Sequence, residues 1–247
     1  MIAIIGGSGL SQLSNLDITR REVVRTPYGE PSGALLFGHM CDQQTVFIAR
    51  HGYGHTIPPH AVNYRANIWA LKQAGAEAII SVASAGGIQD HLTPGVIMVP
   101  DQILDYTWGR QATYFDGVDT PVVHVDFTEP YDTALRQRIL AAARAAGEAV
   151  IDGGTYAATQ GPRLETAAEV TKLERDGAHV IGMTGMPEAL LARELEIPYA
   201  AIVLVVNDAA GRGTSLHGIQ MSGIEATAKQ AMSRVHNVLQ HFCTHCA

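Results

Sequence analysis

Val150-Ile-Asp-Gly-Gly-Thr-Tyr-Ala-Ala158 runs into Gly161-Pro-Arg-Leu-Glu-Thr-Ala-Ala-Glu169, and the reading of this junction decides the fold. The first stretch alternates apolar residues in the manner of a strand. The second opens what reads as a helix over 165–176. Pro162 suits a helix start, because its missing N–H would have no partner there. A strand feeding a helix is the repeating unit of α/β proteins, whose ligands sit beyond the carboxyl ends of strands. Glu165 stands at such a corner. Two roles compete for it: a first-turn acid that complements the helix dipole, or a carboxylate presented to a ligand.

The alternation extends both ways. Upstream, strands are expected at 1–5, 19–25, 33–38, 45–49, 78–84, 96–100 and 102–104, with helices over 61–74, capped by Gly75, and 133–146. Downstream, strands are expected at 179–184 and 199–206, with helices over 187–196 and 218–242. The run Ala78-Ile-Ile-Ser-Val-Ala-Ser84 is nearly continuous in apolar residues, as in a strand buried on both faces. Residues 105–120 form a long polar loop carrying Tyr106, Trp108, Tyr114 and Phe115, and loops of that length in compact domains tend to be functional. No linker-like shift in composition interrupts the pattern. The expectation is one α/β domain over residues 1–247, with a central mixed β-sheet flanked by helices.

Composition narrows the function. The 247 residues are 47% hydrophobic and 17% charged, with a formal charge of −7. That balance, without any Lys/Arg run, argues against a nucleic-acid partner. No apolar run approaches the roughly 18 residues of a membrane span, and Met1-Ile-Ala-Ile-Ile5 is too short for a signal peptide. Cys41, Cys243 and Cys246 are an odd number without a disulfide framework, so a reduced, cytoplasmic protein is expected. Cys243-Thr-His-Cys246 resembles half of a zinc site, but a second ligand pair is missing, and a frayed tail is the simpler reading.

Several expected strand ends carry anion chemistry. Gly6-Gly-Ser-Gly9 follows the first strand and offers backbone N–H groups with a serine hydroxyl. Gln12 stands where the dinucleotide fingerprint needs its third glycine, and no Walker lysine follows, so a small anion fits better than NAD or ATP. Arg50-His51 follows another strand and supplies a planar guanidinium fork beside an imidazole. Ser84, before Gly86-Gly87, ends a third. An acidic protein can hold an anion this way, through local donors instead of a basic field.

Collected in order, Gly6-Gly-Ser-Gly9, Arg50-His51, Ala85-Gly-Gly87, Gly161 to Glu169, Gly182-Met-Thr-Gly-Met-Pro-Glu188 and Asn207 resemble the trimeric purine nucleoside phosphorylases and methylthioadenosine phosphorylases over essentially the whole chain. The stretch Ala61-Val-Asn-Tyr-Arg-Ala-Asn-Ile-Trp-Ala-Leu-Lys72 looks most like the methylthioadenosine branch. The resemblance implies a nucleoside phosphorylase fold with a partly barrel-like sheet, a homotrimer, and phosphorolysis in purine salvage. Inorganic phosphate attacks C1′ of a purine nucleoside, giving free base and a pentose 1-phosphate. Phosphate is a co-substrate, and no metal or organic cofactor is implied. By position, Ser8, Arg50, His51, Ser84 and Thr184 would hold phosphate, Glu165, Asn207 and Leu164 the purine, and Met183 the sugar. His51, Glu165 and Asn207 would carry the catalysis. His124 matches a position that reaches into the methylthio pocket of a neighbouring subunit.

Three positions separate the branches of that family. Glu165 and Asn207 look like the 6-oxopurine branch, where the adenine branch has serine and aspartate with a second aspartate at the position of Ala209. A carboxylate accepts the N1–H of hypoxanthine but faces a lone pair on adenine, and the Asn207 NH2 meets a 6-oxo group as donor to acceptor. A buried polar group left unpaired costs about 1–3 kcal/mol, so two mismatches give on the order of 10²–10⁴ discrimination. At the sugar end, the histidine that holds a 5′-hydroxyl in the 6-oxopurine branch is replaced by Met221, fourteen residues after Asn207, with Ile224 one turn on. An apolar pair suits a methylthio group. His217 stands close enough to substitute for the missing histidine. The substrate that satisfies both ends is 5′-methylthioinosine. The alternatives are an inosine/guanosine phosphorylase, a methylthioadenosine phosphorylase and a non-enzymatic nucleoside-binding protein.

Overall fold

The computed structural model describes residues 1–10, 13 and 15–245, the side chains at 221–223, 225, 226, 230 and 245 excepted. Its strands are β1 (Ile2–Gly6), β2 (Asp17–Glu22), β3 (Leu35–Met40), β4 (Gln43–Ala49), β5 (Ala78–Gly87), β6 (Ile97–Val99), β7 (Gln102–Asp105), β8 (Val150–Asp152), β9 (Thr155–Ala158), β10 (Val180–Gly182) and β11 (Tyr199–Asp208). Its α-helices are α1 (Tyr64–Gln73), α2 (Thr133–Ala145), α3 (Ala167–Arg175), α4 (Gly185–Glu194) and α5 (Met221–His245).

All eleven strands join one mixed sheet organised on β5, which is buried along nearly its whole length. Its first half pairs in parallel with β1 on one side and β11 on the other. Its last two residues, Gly86 and Gly87, pair antiparallel with β10. From there β10, β9 and β7 form one arm, while β11, β6 and β8 form another. One apolar cluster packs α1 and α4 against the sheet, and a second packs α2 and α5 against it. Expected strands and helices are thus present, with shifted ends.

Two departures bear on function. The stretch 150–158 is two strands, not one. The chain turns at Gly153-Gly154, so β8 pairs with β6 while β9 pairs with β10 and β7. The helix expected from residue 165 begins at Ala167, with Thr166 as its N-cap. Thr166 Oγ1 accepts from the Glu169 N–H at 3.1 Å, and Glu169 Oε2 accepts from the Thr166 N–H at 2.8 Å, a complete capping box. Pro162 therefore lies ahead of the helix, in the connection that carries Leu164 and Glu165. The first-turn acid is Glu169, and Glu165 lies outside the helix.

Candidate active site

The carboxyl ends of β1, β4, β5, β9, β10 and β11 converge on one cavity of about 900 Å³. Ser8, Arg50, His51, Ser84 and Thr184 all line it, as do Leu164, Glu165 and Asn207. Met183 and Ile224 line it too. The Met221 side chain lies outside the described residues, as do Gln12 and Cys246. His217 is exposed and does not line the cavity. His124 also lies elsewhere, exposed in the extended segment between β7 and α2.

Arg50, on the cavity lining, is completely buried and locked. Its Nε donates to Glu188 Oε2 at 2.6 Å, its Nη2 to Glu188 Oε1 at 2.8 Å and Ser81 Oγ at 2.6 Å, and its Nη1 to the Val82 carbonyl at 3.1 Å. Glu188, also fully buried, accepts further from Ser81 Oγ at 2.9 Å and Tyr199 Oη at 2.8 Å. Burial alone would lower the Arg50 pKa, but the Glu188 carboxylate reverses this and holds it above the usual value. Four of the five guanidinium hydrogens are engaged, and the second on Nη1 has no protein partner among the described residues. Gly7 makes this packing possible: a Cβ there would fall 2.7 Å from Nη1.

His51 is nearly as buried. Burial first, and the adjacent Arg50 charge second, lower its pKa to about 4, so it is neutral at pH 7. Its Nδ1 lies 2.8 Å from the Ile57 carbonyl, which can only accept. The proton therefore sits on Nδ1, and Nε2 carries a lone pair. Ser84 Oγ donates to the Ser8 carbonyl at 3.1 Å, tying the glycine turn to β5. Thr184 precedes α4 and makes no capping bond with its hydroxyl, which is engaged by the buried Tyr156 hydroxyl instead.

Glu165 and Asn207 line the same cavity from the β9–α3 connection and from β11. Thr159 Oγ1 donates to Glu165 Oε1 at 2.6 Å. Burial raises the Glu165 pKa, and the Thr159 hydrogen bond opposes the shift. Asn207 is placed by a β-bulge: Val205 is opposite Ala85 and Asn207 opposite Gly86, so Val206 is the extra residue. The Asn207 amide donates to the Asp208 carbonyl at 2.7 Å. Asp208 turns away from the cavity, accepting from the Thr214 N–H and hydroxyl at 2.7 Å each. Met183, also on the cavity lining, packs on Gly161, where a Cβ would collide with its sulfur and where φ is +60°.

Sequence reasoning missed Glu188, Thr159 and Arg110, which hold these groups without lining the cavity, and also His55 and His236, which do line it. The His55 ring lies against that of His51, centroids 4.3 Å apart. Glu188 was visible as the last residue of the quoted Gly182–Glu188 motif, but its pairing with Arg50 spans 138 residues.

The whole chain to residue 244 matches the phosphorylase superfamily. A probable S-methyl-5′-thioinosine phosphorylase of Pseudomonas syringae pv. tomato is 54% identical over 233 residues, covering 94% of each chain. A 6-oxopurine nucleoside phosphorylase of Pyrococcus furiosus is 47% identical over 215 residues, covering 85% of this chain and 80% of that one. Among solved structures, the methylthioadenosine phosphorylase of Schistosoma mansoni in complex with adenine superposes with a TM-score of 0.93 at 30% identity, over 98% of this chain and 90% of that one. The chain belongs to the phosphorylase superfamily, as an enzyme of the purine nucleoside phosphorylase type.

Proposed function

We propose that the protein is a 5′-methylthioinosine phosphorylase, converting 5′-methylthioinosine and phosphate to hypoxanthine and 5-methylthioribose 1-phosphate. The observation that carries this reading is the composition of one cavity: Glu165 and Asn207 line it at the purine wall, Ile224 lines it from α5, and His217 stays outside. Relatives named for methylthioinosine and for 6-oxopurine nucleosides support the same purine end.

In the reaction, a phosphate oxygen forms a bond to C1′ while the C1′–N9 bond breaks and its electron pair passes to the purine. Positive charge develops on the sugar and negative charge on the base. Ser8, Ser84 and Thr184 supply hydroxyls to phosphate, and Arg50 supplies its remaining Nη1 hydrogen. The His51 Nε2 lone pair accepts a hydrogen bond from the hydroxyl of monohydrogen phosphate and so orients the nucleophile. Arg50 is neutralised by Glu188, so the nucleophile meets hydrogen-bond donors and little net charge. The anion is thereby held in place without being stabilised as strongly as a full positive pocket would.

At the base, the Glu165 carboxylate accepts the N1–H. The Asn207 NH2 donates to O6, and its carbonyl accepts the proton that arrives on N7 as the base leaves. Leu164 and Met183 pack on base and sugar, and Met221 and Ile224 take the methylthio group. A homotrimer belongs to this reading, with His124 of a neighbouring copy closing the methylthio pocket. The exposure of Val118 and Val122 beside it, 84% and 62%, supports packing between copies. A reduced cytoplasmic setting and a need for no cofactor complete the reading.

The test is a comparison of kcat/KM for methylthioinosine, methylthioadenosine and inosine, with phosphate-free controls. Methylthioinosine is expected to exceed both. Equal or better turnover of inosine would overturn the 5′ assignment; base release without phosphate would overturn phosphorolysis itself.

A further inference from the structure

The guanidinium of Arg110, in the long segment after β7, touches neither the phosphate group of residues nor the purine group, yet it is bonded to the backbone that carries both. Its Nη1 donates to the carbonyls of Met183 at 2.8 Å and Met186 at 2.5 Å, on either side of Thr184. Its Nη2 donates to the carbonyls of Thr159 at 3.1 Å and Gln160 at 3.0 Å. Nε reaches the Gln160 side chain at 3.3 Å, and Nη1 also reaches Tyr64 Oη at 3.2 Å. No carboxylate pairs with Arg110 among the described residues. Its acceptors are four main-chain carbonyls and two neutral side-chain oxygens.

These carbonyls belong to two separate segments. Thr159 holds Glu165 Oε1 through its hydroxyl, so one segment sets where the purine carboxylate stands. Met183 and Thr184 lie in the other, which presents to sugar and phosphate. The segments leave the ends of the paired strands β9 and β10, and they are joined further by the Thr159 N–H bond to the Gly182 carbonyl at 2.8 Å, a weaker contact from the Thr159 hydroxyl, the Thr184 N–H bond to Tyr156 Oη at 3.3 Å and the packing of Met183 on Gly161. From this we infer that Arg110 is a positioning residue: one planar fork, bridging the Thr159–Gln160 and Met183–Met186 carbonyls, fixes the distance between the purine site and the phosphate site. The inference rests on assigning Glu165 to purine and Thr184 to phosphate.

A fork is the required shape. Lysine carries equal charge, but its three hydrogens radiate from a single nitrogen and cannot span two backbone segments. A displacement on the order of 1 Å between reacting groups costs about 10²-fold in rate. Each site nevertheless keeps residues that Arg110 does not touch, Asn207 for purine and Ser8, Arg50, His51 and Ser84 for phosphate, and this gives the inference its signature. Arg110→Lys and Arg110→Ala are expected to bind hypoxanthine alone and phosphate alone within about threefold of wild type, while kcat falls about 10²-fold. Calorimetric titrations with each ligand, beside steady-state kinetics, read both quantities. If Arg110→Ala does not fold, the lysine variant decides alone. A kcat within threefold of wild type overturns the inference. So does a loss of binary affinity as large as the loss of kcat, because that marks general collapse of the site. The wild type separates the two failures: without phosphate-dependent base release the functional reading falls first, whereas an active wild type with unimpaired variants sinks only the role of Arg110.

Discussion

The two groups of residues assigned to phosphate and to nucleoside are built on opposite plans. At the phosphate end Arg50 is held by Glu188, Ser81 and a β5 carbonyl, Glu188 is held again by Tyr199, and His51 is fixed by the Ile57 carbonyl. Arg50, Glu188 and His51 are each tied to a neighbour in the fold. At the nucleoside end each recognition element has one or two ties. Glu165 has Thr159, Asn207 has the Asp208 carbonyl, and Ile224 has only packing on α5. On the proposed function, the lesson is that the residues assigned to phosphate are embedded in the core, while those assigned to substrate choice are side chains that can be exchanged singly.

The largest effect is expected where that contrast is attacked at the nucleoside end. Glu165→Ser with Asn207→Asp should move the ratio of kcat/KM for methylthioadenosine over methylthioinosine upward, by on the order of 10²–10⁴. Stability should change little, as thermal unfolding would reveal. A ratio unmoved by the pair would remove both residues from base recognition.

At the phosphate end the same kind of truncation should damage the fold. Glu188→Ala leaves a buried guanidinium uncompensated, which costs about 3–5 kcal/mol. Denaturant unfolding is the measurement, and a loss under about 1 kcal/mol would mean that Arg50 finds water or phosphate instead.

His51 sharpens the comparison through pH. Its folded pKa of about 4 lies below the usual value of 6.5, so between these values the unfolded chain binds a proton that the folded chain refuses. Stability from this group is therefore complete above about pH 6.5, declines as pH falls and is lost below about pH 4. At pH 5 the expected cost is about 2 kcal/mol, which His51→Gln should remove. Indistinguishable pH profiles for the two proteins would contradict a neutral, buried imidazole.

The smallest effect belongs to the 5′ pocket. Met221→His should favour inosine over methylthioinosine by about tenfold, the scale of one group in an apolar pocket. No change in that ratio would place Met221 away from the 5′ substituent.

How far all this was legible in the chain differs between the same two ends. The glycine turns, Arg50-His51 and the quoted motifs marked the strand ends, because their chemistry is local in sequence. The capping box was legible too, since Thr166-x-x-Glu169 has its spacing, yet Pro162 drew the helix start forward. The Arg50–Glu188 pair, the six-acceptor fork of Arg110 and the bulge at Val206 were not legible. Each depends on which strands lie side by side, and strand pairing is not written in any one segment. The split at Gly153-Gly154 was missed for the same reason, because β8 and β9 serve different arms of the sheet.

The capping box at Thr166 and Glu169 has a consequence for how new substrates arise. Since Glu169 already caps α3, Glu165 owes nothing to the helix beside it, and its raised pKa shows that its ionised form is disfavoured by the surroundings. A lineage can exchange Glu165, the carboxylate proposed to meet the purine, for a hydroxyl and leave the neighbouring helix intact. Two glutamates four residues apart thus separate inheritance of the fold from experiment with the ligand, and preference among purines can drift while folding stays under independent selection.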